Sequence, residues 1–152
     1  MLDIFKLASQ AKRLGYGLSA ATVLFCCNLM AEQKPFAPET IQGVSIVSAE
    51  QVVELILSQP DLIVIDSRKQ TVFQNGHIEG AINLPNTKLT QEVFTQLVPD
   101  KTNSIIFYCN GTRCLRSSDS IYKAKAWGYS NLLWFRGGWS EWMEKLLPVI
   151  KH

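Results

Sequence analysis

The sequence predicts an α/β domain in which about five strands form a mostly parallel sheet with helices on both faces. Short apolar, β-branched runs alternate with segments whose apolar residues recur at helical spacing. Two runs, residues 62–65 and 104–108, are almost continuously apolar, which is typical of strands covered on both faces. The length of 152 residues fits one such domain, and 47% apolar against 18% charged residues is enough to fill its core.

The individual elements follow from local patterns and from the residues at their boundaries. Strands are predicted at residues 44–47, 62–65, 81–84, 104–108 and 132–135. Helices are predicted at residues 48–58, 90–97, 117–127 and 138–146. Ser48 and Thr90 are residue types that cap helix N-termini, whereas Pro60 and Gly128 follow the first and third helices and end them. A Gly-Gly pair turns the chain from the last strand into the last helix.

Composition and charge exclude several classes of function. The formal net charge is +2, from 15 basic and 13 acidic residues with no basic cluster, so binding of nucleic acid is not expected. Four cysteines are too few for a disulfide scaffold. His77 and His152 lie far apart and the chain has no C-x-x-C motif, so the sequence predicts no metal site.

The first 31 residues are predicted to be a targeting segment. A basic stretch at residues 1–13 precedes an uncharged run at residues 14–31, which is the pattern of a secretory signal peptide cleaved after Ala31. An uncleaved anchor is the alternative, because the run has about the minimum length of one membrane span. The chain is therefore expected to be exported, to the periplasm, and to contact a membrane only if the segment remains attached. Residues 32–43 are predicted to be a linker and residues 44–149 the folded domain.

Cys109 is the strongest candidate for a catalytic residue. It directly follows the strand at 104–108 and precedes a helix, which places it at the carboxyl edge of the sheet, where open α/β folds bind ligands. The N–H groups of the loop and of the helix N-terminus favour a thiolate, and Arg113 and Arg116 add positive charge nearby. Taken alone, this loop fits an activated nucleophile and a buried structural cysteine equally well.

Further motifs occur around Cys109 in a specific order. They are Asp66-Ser67-Arg68 after the second strand, Phe73 ahead of Gly-His-Ile-Glu-Gly-Ala at 76–81, Arg116-Ser117 at a helix start, and Gly137-Gly138 followed by Trp142. Together with the strand that ends in Cys109, these pieces resemble the rhodanese domain in both order and spacing. The resemblance covers residues 44–147, and it favours the catalytic interpretation of Cys109.

The resemblance implies a rhodanese-like fold of five parallel strands and a sulfurtransferase activity. Cys109 would take the outer sulfur of a small anionic donor such as thiosulfate, become a persulfide, and pass the sulfur to a thiol or to cyanide. The loop that binds the donor would comprise Asn110, Gly111, Thr112, Arg113, Cys114, Leu115 and Arg116. Its N–H groups and arginines would stabilise the sulfonate of the donor. No cofactor is implied, because sulfur is itself the transferred group.

Three polar residues near the site are assigned structural roles. Asp66 and Arg68 are expected to form a charge pair that fixes the loop after the second strand, although either could touch the substrate. His77 could act as a general base, but a hydrogen bond to the backbone is the favoured interpretation. The tryptophans of the last strand and helix are assigned to packing rather than to an acceptor site.

The loop after Cys109 departs from the family pattern in its length. Six residues separate Cys109 from Arg116, whereas short-loop rhodaneses have a shorter spacing and the related phosphatases and arsenate reductases use C-x5-R. A longer loop could admit a larger donor or acceptor. The loop length therefore leaves the identity of the donor open. It also counts against oxyanion chemistry of the phosphatase or arsenate reductase type, which is the third hypothesis for the function.

The second departure is Cys114, which lies inside this loop. Cys114 could form a disulfide with Cys109 if their Cα atoms lie within about 7 Å, as an oxidising compartment would favour. It could instead attack a Cys109 persulfide and release the sulfur, or it could be a spectator thiol. The leading hypothesis is thus an exported sulfurtransferase. The second is a non-catalytic or redox-switch module that uses Cys109 and Cys114.

Overall fold

The computed structural model describes residues 36–151, so the predicted targeting segment at 1–31 lies outside the described residues. Within that range the strands are β1 (Ser45–Ile46), β2 (Ile63–Asp66), β3 (Ile82–Asn83), β4 (Ile105–Tyr108) and β5 (Leu132–Phe135). The helices are α1 (Ala49–Ser58), α2 (Gln70–Gln74), α3 (Gln91–Leu97), α4 (Leu115–Ala126) and α5 (Gly138–Glu144). None of these described helices is long and apolar enough to cross a bilayer.

The strands form one five-stranded sheet in the order β1-β5-β4-β2-β3, and every neighbouring pair is parallel. This confirms the α/β architecture predicted from the sequence. The register pairs Tyr108, the last residue of β4, with Asp66 on one side and with Phe135 on the other. Since parallel strands end at the same edge, the segments that follow β2, β4 and β5 emerge side by side there.

Helices cover both faces of the sheet, which explains the continuous apolar sequence of β4. Ile105 and Phe107 pack in the core on the side of α3 and α4. Ile106 and Tyr108 pack in a second core on the side of α1 and α5. Successive side chains of a strand point to opposite faces, so a strand buried on both faces is apolar at every position.

Two helices begin where the sequence predicts them, because Ser48 and Thr90 cap them. The Ser48 hydroxyl accepts a hydrogen bond from the Gln51 N–H while the Gln51 side chain accepts one from the Ser48 N–H, which is a complete capping box. The Thr90 hydroxyl accepts a hydrogen bond from the Val93 N–H at the start of α3. The short helix α2 has no counterpart among the predicted elements.

The boundaries of the last two helices differ from the prediction. Helix α4 begins at Leu115 rather than at Ser117, because the Ser117 hydroxyl is not a cap and instead accepts a hydrogen bond from the Trp134 indole N–H in the core, at 3.0 Å. Helix α5 ends at Glu144 rather than at Leu146. Leu146 has a φ of 52°, in the left-handed region, and therefore does not continue a right-handed helix.

The segment predicted to be a linker packs onto the domain over the part that the structure describes. Ala37 and Ile41 are buried in the same core as α3 and α4. The Arg136 side chain donates a hydrogen bond of 2.9 Å to the Pro38 carbonyl. The prolines and polar residues in this stretch predict a spacer, but the buried side chains of Ala37 and Ile41 hold it against the domain.

Candidate active site

Cys109 is the first residue after β4, and the start of α5 fixes its backbone. The Trp139 N–H donates a hydrogen bond of 2.8 Å to the Cys109 carbonyl. The Ser140 N–H and the Ser140 hydroxyl both donate bonds of 2.8 Å to the Asn110 carbonyl. The N-terminal donors of α5, which have no partner inside their own helix, thus bind the loop that begins at the candidate nucleophile.

Gly138 allows α5 to approach the Cys109 loop this closely because it has no side chain. Its φ is +55°, a conformation that side chains disfavour, and a Cβ atom there would lie 2.4 Å from the Cys109 carbonyl oxygen. The crowding atom belongs to the backbone and is itself held by the Trp139 N–H. Gly138 is therefore needed for the position of the Cys109 loop.

Substitution of Gly138 by alanine is expected to lower the free energy of unfolding by at least about 2 kcal/mol, because backbone strain adds to an unavoidable clash. Gly80 provides the matched control, since its φ is +74° but no atom lies within 4 Å of the added Cβ. For Gly80→Ala we expect a loss of only about 1 kcal/mol, from the backbone conformation alone. Urea unfolding of both variants measures the difference, and equal losses would contradict the steric role of Gly138.

Cys109 and Cys114 form a disulfide, with their Cα atoms 6.3 Å apart. This distance is below the limit of about 7 Å for a disulfide. Of the three interpretations of Cys114, the structure thus has the disulfide with Cys109. Cys109 is almost completely buried, at 1% exposure, whereas Cys114 is half-buried. In this oxidised form the Cys109 sulfur is bonded to Cys114 and is not a thiolate, so Cys109 must be reduced before it can act as a nucleophile.

The sulfur of Cys114 lies at the N-terminus of α4. Cys114 is the N-cap residue of this 12-residue helix, in an extended conformation and with no side-chain capping bond. The Arg116 guanidinium lies 3.7 Å from its sulfur. The partial positive charge of a helix N-terminus and the arginine both favour negative charge at this position. The helix itself is fixed to the sheet by the Ser117–Trp134 hydrogen bond and by one of 3.1 Å between Ser67 and Ser120.

A cleft of about 640 Å³ opens beside the disulfide. It is lined by Asn110, Gly111, Thr112, Arg113, Cys114, Arg116, Gly137, Ser140, Glu141 and Glu144. Its walls carry two arginines from the loop and α4 and two glutamates from α5. The cleft therefore presents both signs of charge, with the positive charges next to the disulfide, and can receive an anionic group on that side.

Six of the seven loop residues predicted to bind the donor line this cleft, and Leu115 does not. Leu115 is the first residue of α4, and with Arg116 it belongs to the helix rather than to the loop. Sequence reasoning missed Ser140, Glu141 and Glu144. The Gly-Gly turn had marked this helix, and the spacing of these three residues puts them on one helical face with Gly137, which was the available signal.

Asp66 and Arg68 form the ion pair expected from the sequence, and both are buried, at 0% and 1% exposure. The guanidinium donates hydrogen bonds to both carboxylate oxygens, at 3.0 Å to Oδ1 and 2.6 Å to Oδ2, and another of 2.8 Å to the Gly76 carbonyl. It also lies 4.4 Å from the centre of the Trp139 ring. Neither residue lines the cleft. The pair instead links the loop after β2 to Trp139 at the start of α5. Trp139 in turn holds the Cys109 carbonyl, so the pair supports the Cys109 loop indirectly.

Tyr108, which precedes Cys109, is a buried packing residue rather than an acid or base. Burial raises the pKa of its phenol well above the usual value, and the Asp66 carboxylate raises it further. The Ile78 N–H donates a long hydrogen bond of 3.4 Å to the phenol oxygen. The phenol therefore stays protonated at neutral pH.

His77 lies outside the cleft and makes the expected contact with the backbone. Its Nδ1 atom lies 3.0 Å from the Phe73 carbonyl oxygen, and the two rings stack with their centres 3.7 Å apart. The backbone of His77 also pairs with that of Ile150 through two bonds of 3.0 Å. These contacts hold the last described residues against the segment between α2 and β3. Within residues 36–151 no group of His, Cys, Asp or Glu side chains is arranged to hold a metal ion.

Comparison with known proteins identifies relatives over most of the described domain. A family model described as a rhodanese-like domain matches residues 48–145. A rhodanese domain-containing protein of Drosophila melanogaster is 32% identical over 63% of this chain and 94% of its own length. A Schizosaccharomyces pombe protein with the provisional name of a mitochondrial thiosulfate sulfurtransferase is 28% identical over 78% of this chain and 91% of its own.

One further relative and one solved structure add to this comparison. The tRNA uridine(34) hydroxylase of Teredinibacter turnerae is 30% identical over 72% of this chain, but the match spans only 34% of the hydroxylase. The crystal structure of a Bacillus halodurans protein superposes with a TM-score of 0.63 at 23% identity, over 70% of this chain and 77% of that one. The structural match shows the same fold, and the sequence matches show a shared domain.

Proposed function

Because the chain belongs to the rhodanese-like family, we propose that it is a sulfurtransferase that carries a sulfane sulfur as a persulfide on Cys109. The observation that carries the proposal is the position of Cys109 at the end of β4 and ahead of α4, beside a cleft that Arg113 and Arg116 line. A cysteine in such a setting is an activated nucleophile once it is reduced.

The loading step uses the Cys109 thiolate and an anionic donor such as thiosulfate. The thiolate attacks the outer sulfur of the donor, a new sulfur–sulfur bond forms, and the bond to the sulfonate sulfur breaks. Sulfite leaves with the electron pair of the broken bond, and the persulfide anion remains on Cys109. The arginines of the cleft would bind the sulfonate and the developing sulfite charge.

The unloading step transfers the outer sulfur to a nucleophilic acceptor. Cyanide would leave as thiocyanate, and a thiolate would leave as a persulfide, with Cys109 restored to its thiolate in either case. The cleft volume of about 640 Å³ and the glutamates on its far wall support an acceptor larger than cyanide that carries a positive group, such as an amino thiol.

We also propose that this chemistry takes place outside the cytoplasm. The disulfide between Cys109 and Cys114 supports this location, because such bonds persist in oxidising compartments and are rare in the cytosol. The sequence of the first 31 residues, which resembles an export signal, supports it independently.

Formation of thiocyanate from thiosulfate and cyanide by the reduced full chain tests the proposal. Cys109→Ser is expected to lower the rate about a thousandfold or more, since a serine oxygen cannot hold a sulfane sulfur. The disulfide is reduced first and the reductant removed, and matching circular dichroism spectra control for folding. The proposal is contradicted if Cys109→Ser keeps the wild-type rate, or if Cys114→Ser, which cannot close the disulfide, is inactive with both thiosulfate and a small organic persulfide as donors.

The second candidate function is a redox switch without sulfur transfer, which the disulfide specifically favours. In that case the Cys109–Cys114 bond would open and close with the redox state of the compartment and would alter what the cleft binds. Cys114→Ser separates the two candidates, because it abolishes the switch but leaves Cys109 free. Sulfur transfer by Cys114→Ser supports the enzyme, and absence of transfer from every donor supports the switch.

A further inference from the structure

The disulfide shows that the sulfurs of Cys109 and Cys114 come within bonding distance in this fold. Cys109 and Cys114 are five residues apart and lie in one loop, with the helix α4 beginning directly after Cys114. A sulfane sulfur on Cys109 would therefore be formed within reach of a second thiol. An intramolecular thiol at this distance competes effectively with any acceptor that must diffuse into the cleft.

The surroundings of Cys114 favour its thiolate form after reduction. The N-terminus of α4 and the Arg116 guanidinium, which lies 3.7 Å from the sulfur, both stabilise negative charge there. The thiolate is the form that attacks disulfides and persulfides. Cys114 thus has both the position and the charge environment of a nucleophile. The transfer of sulfur from Cys109 to an external acceptor gives Cys114 no role.

We propose that Cys114 is a resolving cysteine that converts the sulfane sulfur on Cys109 into hydrosulfide, an inference that rests on the proposed function. The Cys114 sulfur attacks the inner sulfur of the persulfide, the sulfur that is bonded to the Cys109 side chain. The Cys109–Cys114 bond forms, the bond to the outer sulfur breaks, and that sulfur leaves with the electron pair and takes a proton from solvent to become hydrosulfide. The outer sulfur is reduced and the two cysteines are oxidised to the disulfide.

A dithiol reductant, either a small molecule or a dithiol protein, must reopen the disulfide before the next cycle. Cys109 is buried at 1% exposure and Cys114 is the more accessible sulfur, so the reductant attacks Cys114. Cys109 then leaves as a thiolate and is ready to accept sulfur again. The second thiol of the reductant releases Cys114 and becomes a disulfide itself. The net reaction turns sulfane sulfur and a dithiol into hydrosulfide and a disulfide.

Hydrosulfide release in a single turnover tests the resolving role. The full chain is reduced with a dithiol, freed of it without oxygen, and mixed with thiosulfate in the absence of any acceptor. The wild type is expected to release about one equivalent of hydrosulfide per chain and then stop, with the disulfide closed. Cys114→Ser should release none and keep its sulfane sulfur. Later addition of a dithiol should restart release by the wild type.

The two variants at position 114 separate failure of this inference from failure of the proposed function. Cys114→Ser and Cys114→Ala are both loaded with sulfur, and cyanide then strips the sulfane sulfur as thiocyanate. If both variants load but the wild type retains its persulfide as long as they do, the resolving role is wrong and sulfur transfer stands. If neither variant nor the wild type loads, the proposed function itself is wrong.

Discussion

Replacement of Arg68 by methionine is expected to lower the free energy of unfolding by about 3–5 kcal/mol at neutral pH. The Asp66 carboxylate is completely buried, and the guanidinium contacts both of its oxygens. Methionine keeps much of the volume of the side chain but leaves the carboxylate without a counter-charge in a dry environment. The variant also loses the hydrogen bond to the Gly76 carbonyl and the contact with the Trp139 ring.

Two comparisons identify the buried charge as the cause of that loss. Lys69→Met removes a neighbouring charge at an exposed position, and we expect it to change stability by less than about 0.5 kcal/mol. The double variant Asp66→Asn/Arg68→Met removes both charges and should recover part of the loss. Urea unfolding measures all three variants. An Arg68→Met loss no larger than that of Lys69→Met would contradict the structural role of the pair.

The disulfide-bonded protein is expected to transfer sulfur at least about a hundredfold more slowly than the reduced protein. In the oxidised form the Cys109 sulfur is bonded to Cys114 and is almost fully shielded from solvent. The activity of the wild type should therefore rise on treatment with a dithiol and fall again on oxidation. The initial rate of thiocyanate formation, measured before and after each treatment, gives the ratio.

Cys114→Ser is the matched control for this redox dependence. Without Cys114 the disulfide cannot form, so the variant should be active as isolated and should respond little to the dithiol. Wild-type activity that is the same in the oxidised and reduced forms would show that the disulfide is not a barrier to catalysis. A wild type and a Cys114→Ser variant with equal dependence on the dithiol would show that the reductant acts elsewhere.

The architecture of the domain could be predicted from the sequence because its strands carry strong local signals. The apolar runs that became β2 and β4 are buried on both faces, and their pattern reflects that burial directly. Ser48 and Thr90 mark the starts of α1 and α3 because their side chains bond to N–H groups only a few residues away. Strand burial patterns and helix caps both depend on residues that are close together in the sequence, so they can be predicted from the sequence alone.

The predictions that failed depend on contacts between distant parts of the chain. Ser117 is the predicted first residue of the third helix, but it lies inside α4 and its hydroxyl bonds to Trp134 on β5. The packing of Ala37 and Ile41 depends on a core surface that is built by α3 and α4. Local patterns carry no information about either contact, because the partner is brought near only by the tertiary fold.

The Cys109 loop could be predicted from the sequence, whereas the α5 wall of the cleft could not. Cys109 was identified from its place after a buried strand, and the Cys109–Cys114 pairing was one of three readings that the sequence left open. The opposite wall of the cleft comes from α5, which lies far away in sequence, so Glu141 and Glu144 were missed. The role of Gly138 also became clear only from its distance to the Cys109 carbonyl.

The intact mass of the Cys114→Ser chain after exposure to thiosulfate tests the central claim most directly, because this variant can load sulfur but cannot release it internally. We expect a gain of about 32 Da, the mass of one sulfur atom, that cyanide removes and that the Cys109→Ser/Cys114→Ser variant does not show. The account is contradicted if Cys114→Ser gains no sulfur from thiosulfate or from a small organic persulfide, or if the double variant gains the same mass.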